Sequence, residues 1–266
     1  MHDNALRLPE RAVKPRSRGL TMMIDSGLPT RRFIDVVESF ADYIDVVKFG
    51  WGTSLLTADL KRKIDVLRDH RIDFYFGGTL FEKFLVQDAF ADWLRYCDRF
   101  GCRSVEISNG TIELSNTDKA EYIRRVAPHY RVFSEVGLKD SVKSEEMSIE
   151  VWLEYLHQDF QAGADYVITE ARESGKSGIC RANGELRTDL IDKIHESDLE
   201  LDRVLFEAPN KQLQTTLINC FGPDVNLGNI APDDVVPLET LRLGLRGDTL
   251  LETEARLAVA EVRRSA

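Results

Sequence analysis

Absences narrow this chain before any motif does. Among its 266 residues no apolar run approaches the roughly 20 needed to span a bilayer, so no membrane partner is expected. The first stretch, MHDNALRLPERAVKPRSR, has no apolar core of the kind a secretory signal carries. Residues 1–17 are therefore read as a partly ordered tail and the protein as cytoplasmic. The four cysteines, Cys97, Cys102, Cys180 and Cys220, show no CxxC pairing, which excludes zinc ribbons and fits reduced thiols. Basic residues are outnumbered, 35 Lys and Arg against 45 Asp and Glu, and the net charge of −10 argues against a nucleic-acid partner. The glycine fingerprint GxGxxG is missing, which counts against a dinucleotide fold. There is no linker-like or low-complexity break.

What is present is an alternation. Eight short buried runs end in Asp25-Ser26-Gly27, Lys48-Phe49-Gly50, Gly77-Gly78-Thr79, Asn109-Gly110-Thr111, Gly137-Leu138-Lys139, Glu170-Ala171-Arg172, Ala208-Pro209-Asn210 and Gly228-Asn229-Ile230. Between them lie stretches with apolar residues at helical spacing, such as Ile149, Trp152, Leu153, Leu156 and Phe160. The pattern predicts α/β architecture: a single-domain (β/α)8 TIM barrel over residues 18–266, with a C-terminal helix over about 252–263. An open doubly wound sheet is the alternative.

In such barrels chemistry sits at the carboxyl ends of the strands. The stretch DYVITEARESGKSG, 165–178, carries the densest set. Its strand phase puts Ile168, Glu170 and Arg172 on one side, and Glu173 and the Ser174-Gly175 loop follow. A carboxylate and a guanidinium at a buried strand end are costly unless something charged binds there, although an internal Glu–Arg pair bracing the barrel gives the same pattern. Glu106, Glu135, Glu170 and Glu207 fall on successive strands four to seven. Four carboxylates facing one cavity repel unless a cation or lysines neutralise them. Oxygen ligands without His or Cys favour Mg²⁺, and a metal-free Glu/Lys/Arg network is the other reading. None of the five histidines falls at a strand's carboxyl end.

Lys48 and Lys139 are the candidate proton-transfer groups, on the expectation that neighbouring cations or desolvation lower their pKa. Lys48 is equally readable as a salt bridge to one of the glutamates. Glu173 joins them as a candidate catalytic residue, and Arg172, Ser174 and Gly175 as candidate substrate ligands. Gly77 and Gly78 permit close ligand approach or simply a tight turn. Asn226, Gly228 and Asn229 stand where barrels hold phosphate. Arg242 and Arg246 are either phosphate ligands or surface charges.

These residues lie in stretches that resemble the phosphosulfolactate synthase family: RGLTMMIDSGL, YIDVVKFGWGTS, YFGGTLFE, VEISNGTIE, SEVGLK, AGADYVITEARESGKSG, FEAPNKQ, VNLGNI and LETLRLGLRGDT. The likeness runs from about Arg18 to Leu250. It implies a homo-oligomeric (β/α)8 enzyme that adds sulfite to phosphoenolpyruvate with Mg²⁺, giving (2R)-phospho-3-sulfolactate. It further implies that the glutamates hold Mg²⁺, that Lys139 protonates the substrate carbon, and that Lys48, Arg172 and the Gly228-Asn229 region hold anionic groups. The chain departs from the family pattern at three strand ends, with Ser26 and Leu138 for lysines and Asn109 for an aspartate. Two further functions therefore stand beside the first: a sister enzyme adding another nucleophile to an enolpyruvate-type acceptor, and a non-catalytic stress-associated barrel.

Overall fold

The computed structural model describes residues 6–172, 174–181 and 183–265. Eight parallel strands are present: β1 (Thr21–Asp25), β2 (Val46–Phe49), β3 (Asp73–Phe76), β4 (Ser104–Ile107), β5 (Arg131–Val136), β6 (Tyr166–Thr169), β7 (Val204–Glu207) and β8 (Asn226–Ile230). Their hydrogen-bonded order is β3-β2-β1-β8-β7-β6-β5-β4, with helices in the connections. This is a nearly closed (β/α)8 barrel, as the alternation predicts. The β3–β4 seam has no strand ladder among the described residues. At its amino-terminal end the Ser104 hydroxyl donates to Asp73 across the gap (2.5 Å).

Side-chain alternation builds two apolar shells. One residue of each inner pair enters the barrel: Met22, Val46, Tyr75, Phe133, Ile168 and Leu205 fill its interior. Their outward neighbours, including Met23, Val47, Phe74, Phe76, Val167, Val204 and Phe206, pack beneath the helices. Two residues on from Val46, Phe133, Ile168 and Leu205 stand Lys48, Glu135, Glu170 and Glu207. The strand period thus fixes a polar layer directly above a dry one.

The amino-terminal segment is tied across the other end of the barrel. Arg11 donates to Gly19 O and Pro223 O (both 3.0 Å) and pairs with Asp224 and Glu239. Arg16 pairs with Asp45 (2.9 Å), and Lys14 donates to the carbonyls of Ala41 and Ile44. Arg242 belongs here too. It is fully buried and donates to the carbonyls of Pro223, Val225 and Leu20, so it is neither a phosphate ligand nor a surface charge. Burial, with Arg11 nearby, pulls its pKa down to about 9. No helix among the described residues is long and apolar enough to cross a membrane.

Candidate active site

A cavity of about 400 Å³ opens at the carboxyl ends of the strands. Glu106, Glu135, Glu170 and Glu207, one from each of β4 to β7 or just beyond, line it together with Lys48, Lys139, Arg172, Gly78 and Asn229. All four carboxylates are at least 98% buried. Lys48 Nζ lies 3.0 Å from Glu106, 3.4 Å from Glu207 and 3.5 Å from Glu135. Lys139 Nζ lies 3.2 Å from Glu135 and 3.8 Å from Glu170, and donates to Thr79 Oγ1 (3.2 Å). The acids and lysines therefore alternate, and this interleaving lets them share a low-dielectric site.

Charge states follow from who faces whom. Burial pulls Lys48 down, but Glu106, Glu207 and Glu135 together raise its pKa well above the ordinary value. Burial likewise opposes Lys139, and Glu135, Glu170 and Glu82 outweigh it, so its pKa also rises. The expectation of lowered lysine pKa values is thus corrected, because each ammonium meets more carboxylates than cations. Burial pushes Glu135 up, yet Lys139 and Lys48 prevail and bring it down to about 2. Glu170 goes the other way: burial, then Glu207 and Glu135 on either side, raise it well above the carboxylate range. Glu106 is raised by burial, against Lys48.

Backbone contacts aim these side chains. Gly78 N–H donates to Glu106, and Ala171 N–H donates to Glu207 Oε2 (3.1 Å). Arg172 N–H donates to Glu170, while the Arg172 guanidinium donates to Lys139 O (3.0 Å). A Cβ on Gly78 would fall 2.3 Å from Ser108 Oγ and 2.7 Å from Glu106 Oε1, so only glycine admits this contact. Behind β5, the buried Lys119 donates to the Glu135 carbonyl (2.9 Å) and pairs with Asp159 (2.7 Å). Five non-glycine residues among those described have left-handed backbone, and three of them, Trp51, Arg172 and Asn229, line the cavity. Such conformations cost about 1–3 kcal/mol each and gather at ligand sites.

Several sequence candidates sit elsewhere. Asn226 lies at the barrel's amino-terminal end, where its Oδ1 accepts from Leu20 N–H (2.9 Å) and its amide donates to Asp202 O and Val204 O. Gly228 faces the packed interior, where a Cβ would meet Leu205 Cδ2 at 2.3 Å. Gly77 lets β2 and β3 approach, its Cβ position lying 3.1 Å from Trp51 N. Ser174 is exposed and Gly175 lies against Asn210; neither lines the cavity, because Ile179 N–H bonds back to Glu170 O and folds this loop over the rim. Glu173 lies outside the described residues. Asp25 is taken up by Lys63 (2.6 Å) and by the Gly27 and Leu28 amides. Of Ser26, Asn109 and Leu138, only Ser26 reaches the cavity wall.

The family model for (2R)-phospho-3-sulfolactate synthase matches residues 9–248. The chain belongs to this family. Members make phosphosulfolactate, forming a carbon–sulfur bond. A phosphosulfolactate synthase of Bacillus subtilis is 52% identical over 249 residues, covering 94% of this chain and 99% of the relative. One from Methanocaldococcus jannaschii is 42% identical over 236 residues, covering 87% and 94%. Among solved structures, orotidine 5′-phosphate decarboxylase from Pyrococcus horikoshii superposes with a TM-score of 0.53 at 10% identity, over 83% of this chain and 98% of that one. That likeness supports the barrel fold alone.

Sequence reasoning passed over Glu82, on the helix Gly78–Leu85. It is 1% exposed, accepts from the Ser108 hydroxyl (2.5 Å) and from Thr111 N–H (3.0 Å), and lies 4.0 Å from Lys139 Nζ. The available signal was its spacing: Thr79 and Glu82 are three apart and share a helix face.

Proposed function

We propose that this synthase adds sulfite to phosphoenolpyruvate in a Mg²⁺-dependent reaction, giving (2R)-phospho-3-sulfolactate. The observation that carries the proposal is one corner of the cavity. There a proton-loaded Lys139 faces two buried carboxylates, its Nζ 3.2 Å from Glu135 Oε1 and 3.8 Å from Glu170 Oε2. Among the described residues no three His, Cys, Asp or Glu side chains converge on one point. Of the four glutamates expected to bind Mg²⁺, Glu106 and Glu207 lie 3.0 and 3.4 Å from Lys48, so Glu135 and Glu170 would hold the ion, whose charge would draw Glu170 back to its ionised form. When bound there, Mg²⁺ supplies Lewis-acid stabilisation of the negative charge that develops on the substrate carboxylate.

The chain's own residues do the rest. Arg172 at the cavity mouth and the interior Lys48 draw in the anionic substrate. Sulfite sulfur attacks the methylene carbon, a C–S bond forms, and the π pair moves to the adjacent carbon as an enolate. Lys139 then delivers its proton to that carbon. The surrounding carboxylates keep Lys139 protonated, and its place in the cavity beside Glu135 and Glu170 is what supports the role. The same reading makes the protein a cytoplasmic homo-oligomer, for which sedimentation supplies the check on assembly.

The test is incubation with phosphoenolpyruvate, sulfite and Mg²⁺, with and without chelator, and detection of the acid product by mass spectrometry. Chelator-sensitive phosphosulfolactate is expected, and Lys139→Ala should lower kcat about 10²–10⁴-fold. An unchanged kcat in that variant removes Lys139 as the donor. No product with phosphoenolpyruvate still bound would point to another nucleophile, in line with Ser26 on the cavity wall.

A further inference from the structure

The β3–β4 seam is the one place in the sheet order where neighbours share no ladder among the described residues. Yet Lys48 on β2 and Glu106 on β4, which meet at 3.0 Å, stand on opposite sides of it. No ladder joins the two sides directly, and the backbone connects them only the long way round the barrel, so side-chain and loop contacts bridge the seam itself. At the catalytic end the bridging groups belong to one helix, Gly78–Leu85, which follows β3. Its first residue donates to Glu106. The same turn carries Thr79, which accepts from Lys139, and the next carries Glu82. The Glu82 carboxylate takes the Ser108 hydroxyl on one oxygen and the Thr111 amide on the other, so it grips the first half of the loop after β4 at two points. That loop in turn fixes the base of Lys139, whose backbone amide donates to Gly110 O (3.1 Å).

We propose that Glu82 is a positioning residue: its carboxylate clasps the loop after β4 to β3 and holds the Lys139 ammonium over Glu135 and Glu170. The role given to Lys139 rests on the proposed function; the clasp does not. A carboxylate that held only the loop would be replaceable by an amide. One that also holds the ammonium would not be.

The experiment compares full-length wild type, Glu82→Ala and Glu82→Gln. The readouts are amide exchange at Thr111, the rate of Lys139 acylation followed by peptide mass spectrometry, and kcat and KM. In Glu82→Ala the Thr111 amide loses its acceptor, so its exchange should speed about tenfold. Lys139 should acylate faster, and kcat should fall about ten- to a hundredfold with KM moving much less. Glu82→Gln keeps an acceptor for Thr111, so exchange should stay near wild type while Lys139 labelling still rises and kcat recovers only in part. Wild-type labelling at Lys139 in Glu82→Gln overturns the proposal, and decides the matter alone if Glu82→Ala does not fold. Wild-type enzyme that makes no product refutes the proposed function instead, and the exchange and labelling rates still judge the clasp.

Discussion

Replacing Lys48 by Met tests whether the carboxylate ring is held together by its central cation. The ammonium is buried and touches Glu106, Glu207 and Glu135 at 3.0, 3.4 and 3.5 Å. Methionine keeps most of the volume and removes the charge, leaving three carboxylates around an apolar tip. Removing one partner of a buried ion pair costs about 3–5 kcal/mol. At about 2–4 °C per kcal/mol for a chain of this size, the melting temperature should fall by roughly 6–20 °C near pH 8. The pH dependence fixes the cause. Burial already raises Glu106, and without Lys48 it must rise further. A carboxyl group whose folded pKa lies above its unfolded value binds more protons folded than unfolded, so it costs stability as pH climbs past the unfolded value. The deficit of Lys48→Met should therefore be largest near pH 8 and shrink toward pH 5. Thermal melts followed by circular dichroism at pH 5, 6.5 and 8 read both effects. A difference under about 2 °C at pH 8, against the expected loss, would show that the ring does not need its lysine. A large deficit that ignores pH would place the loss in packing instead.

Two further substitutions separate the floor of the barrel from its mouth. Asn226→Ala strips the acceptor from a buried Leu20 N–H and should cost about 1–3 kcal/mol, seen as a lower melting temperature at unchanged kcat and KM. A raised KM with unaltered melting would return Asn226 to the ligand. Gly228→Ala drives a methyl into Leu205 and Met22, and overpacking of this kind should cost about 1–3 kcal/mol without changing KM. Loss of affinity at full stability would instead mark Gly228 as ligand surface.

Much of this was legible from strand period and strand ends. Counting two residues on from an interior apolar position leads to Glu135, Glu170 and Glu207, and the order of the runs points to a barrel over an open doubly wound sheet. The misplacement of Gly228 has its physical source at β8. The sequence suggests a short strand over Val225–Leu227, whereas the ladder continues to Ile230. Gly228 therefore belongs to the packed layer and not to a phosphate loop. Asn229 reaches the cavity because its left-handed backbone, φ 54°, breaks the alternation. No local pattern announces such a residue. The lysine pKa values were misjudged for a related reason. Their sign depends on how many carboxylates from other strands come within a few ångströms, and spacing within one strand carries no record of that. Glu82 was hidden by its helix, since a single acid among Phe81, Phe84 and Leu85 reads as ordinary solvated charge until its neighbour across the seam is known.

The apolar filling beneath the cavity also governs traffic. Met22, Val46, Tyr75, Phe133, Ile168 and Leu205 leave no aqueous path through the barrel axis, so whatever enters between the strand ends leaves by the same door. Substrates and product must therefore share one mouth, and release of the product has to precede the next entry.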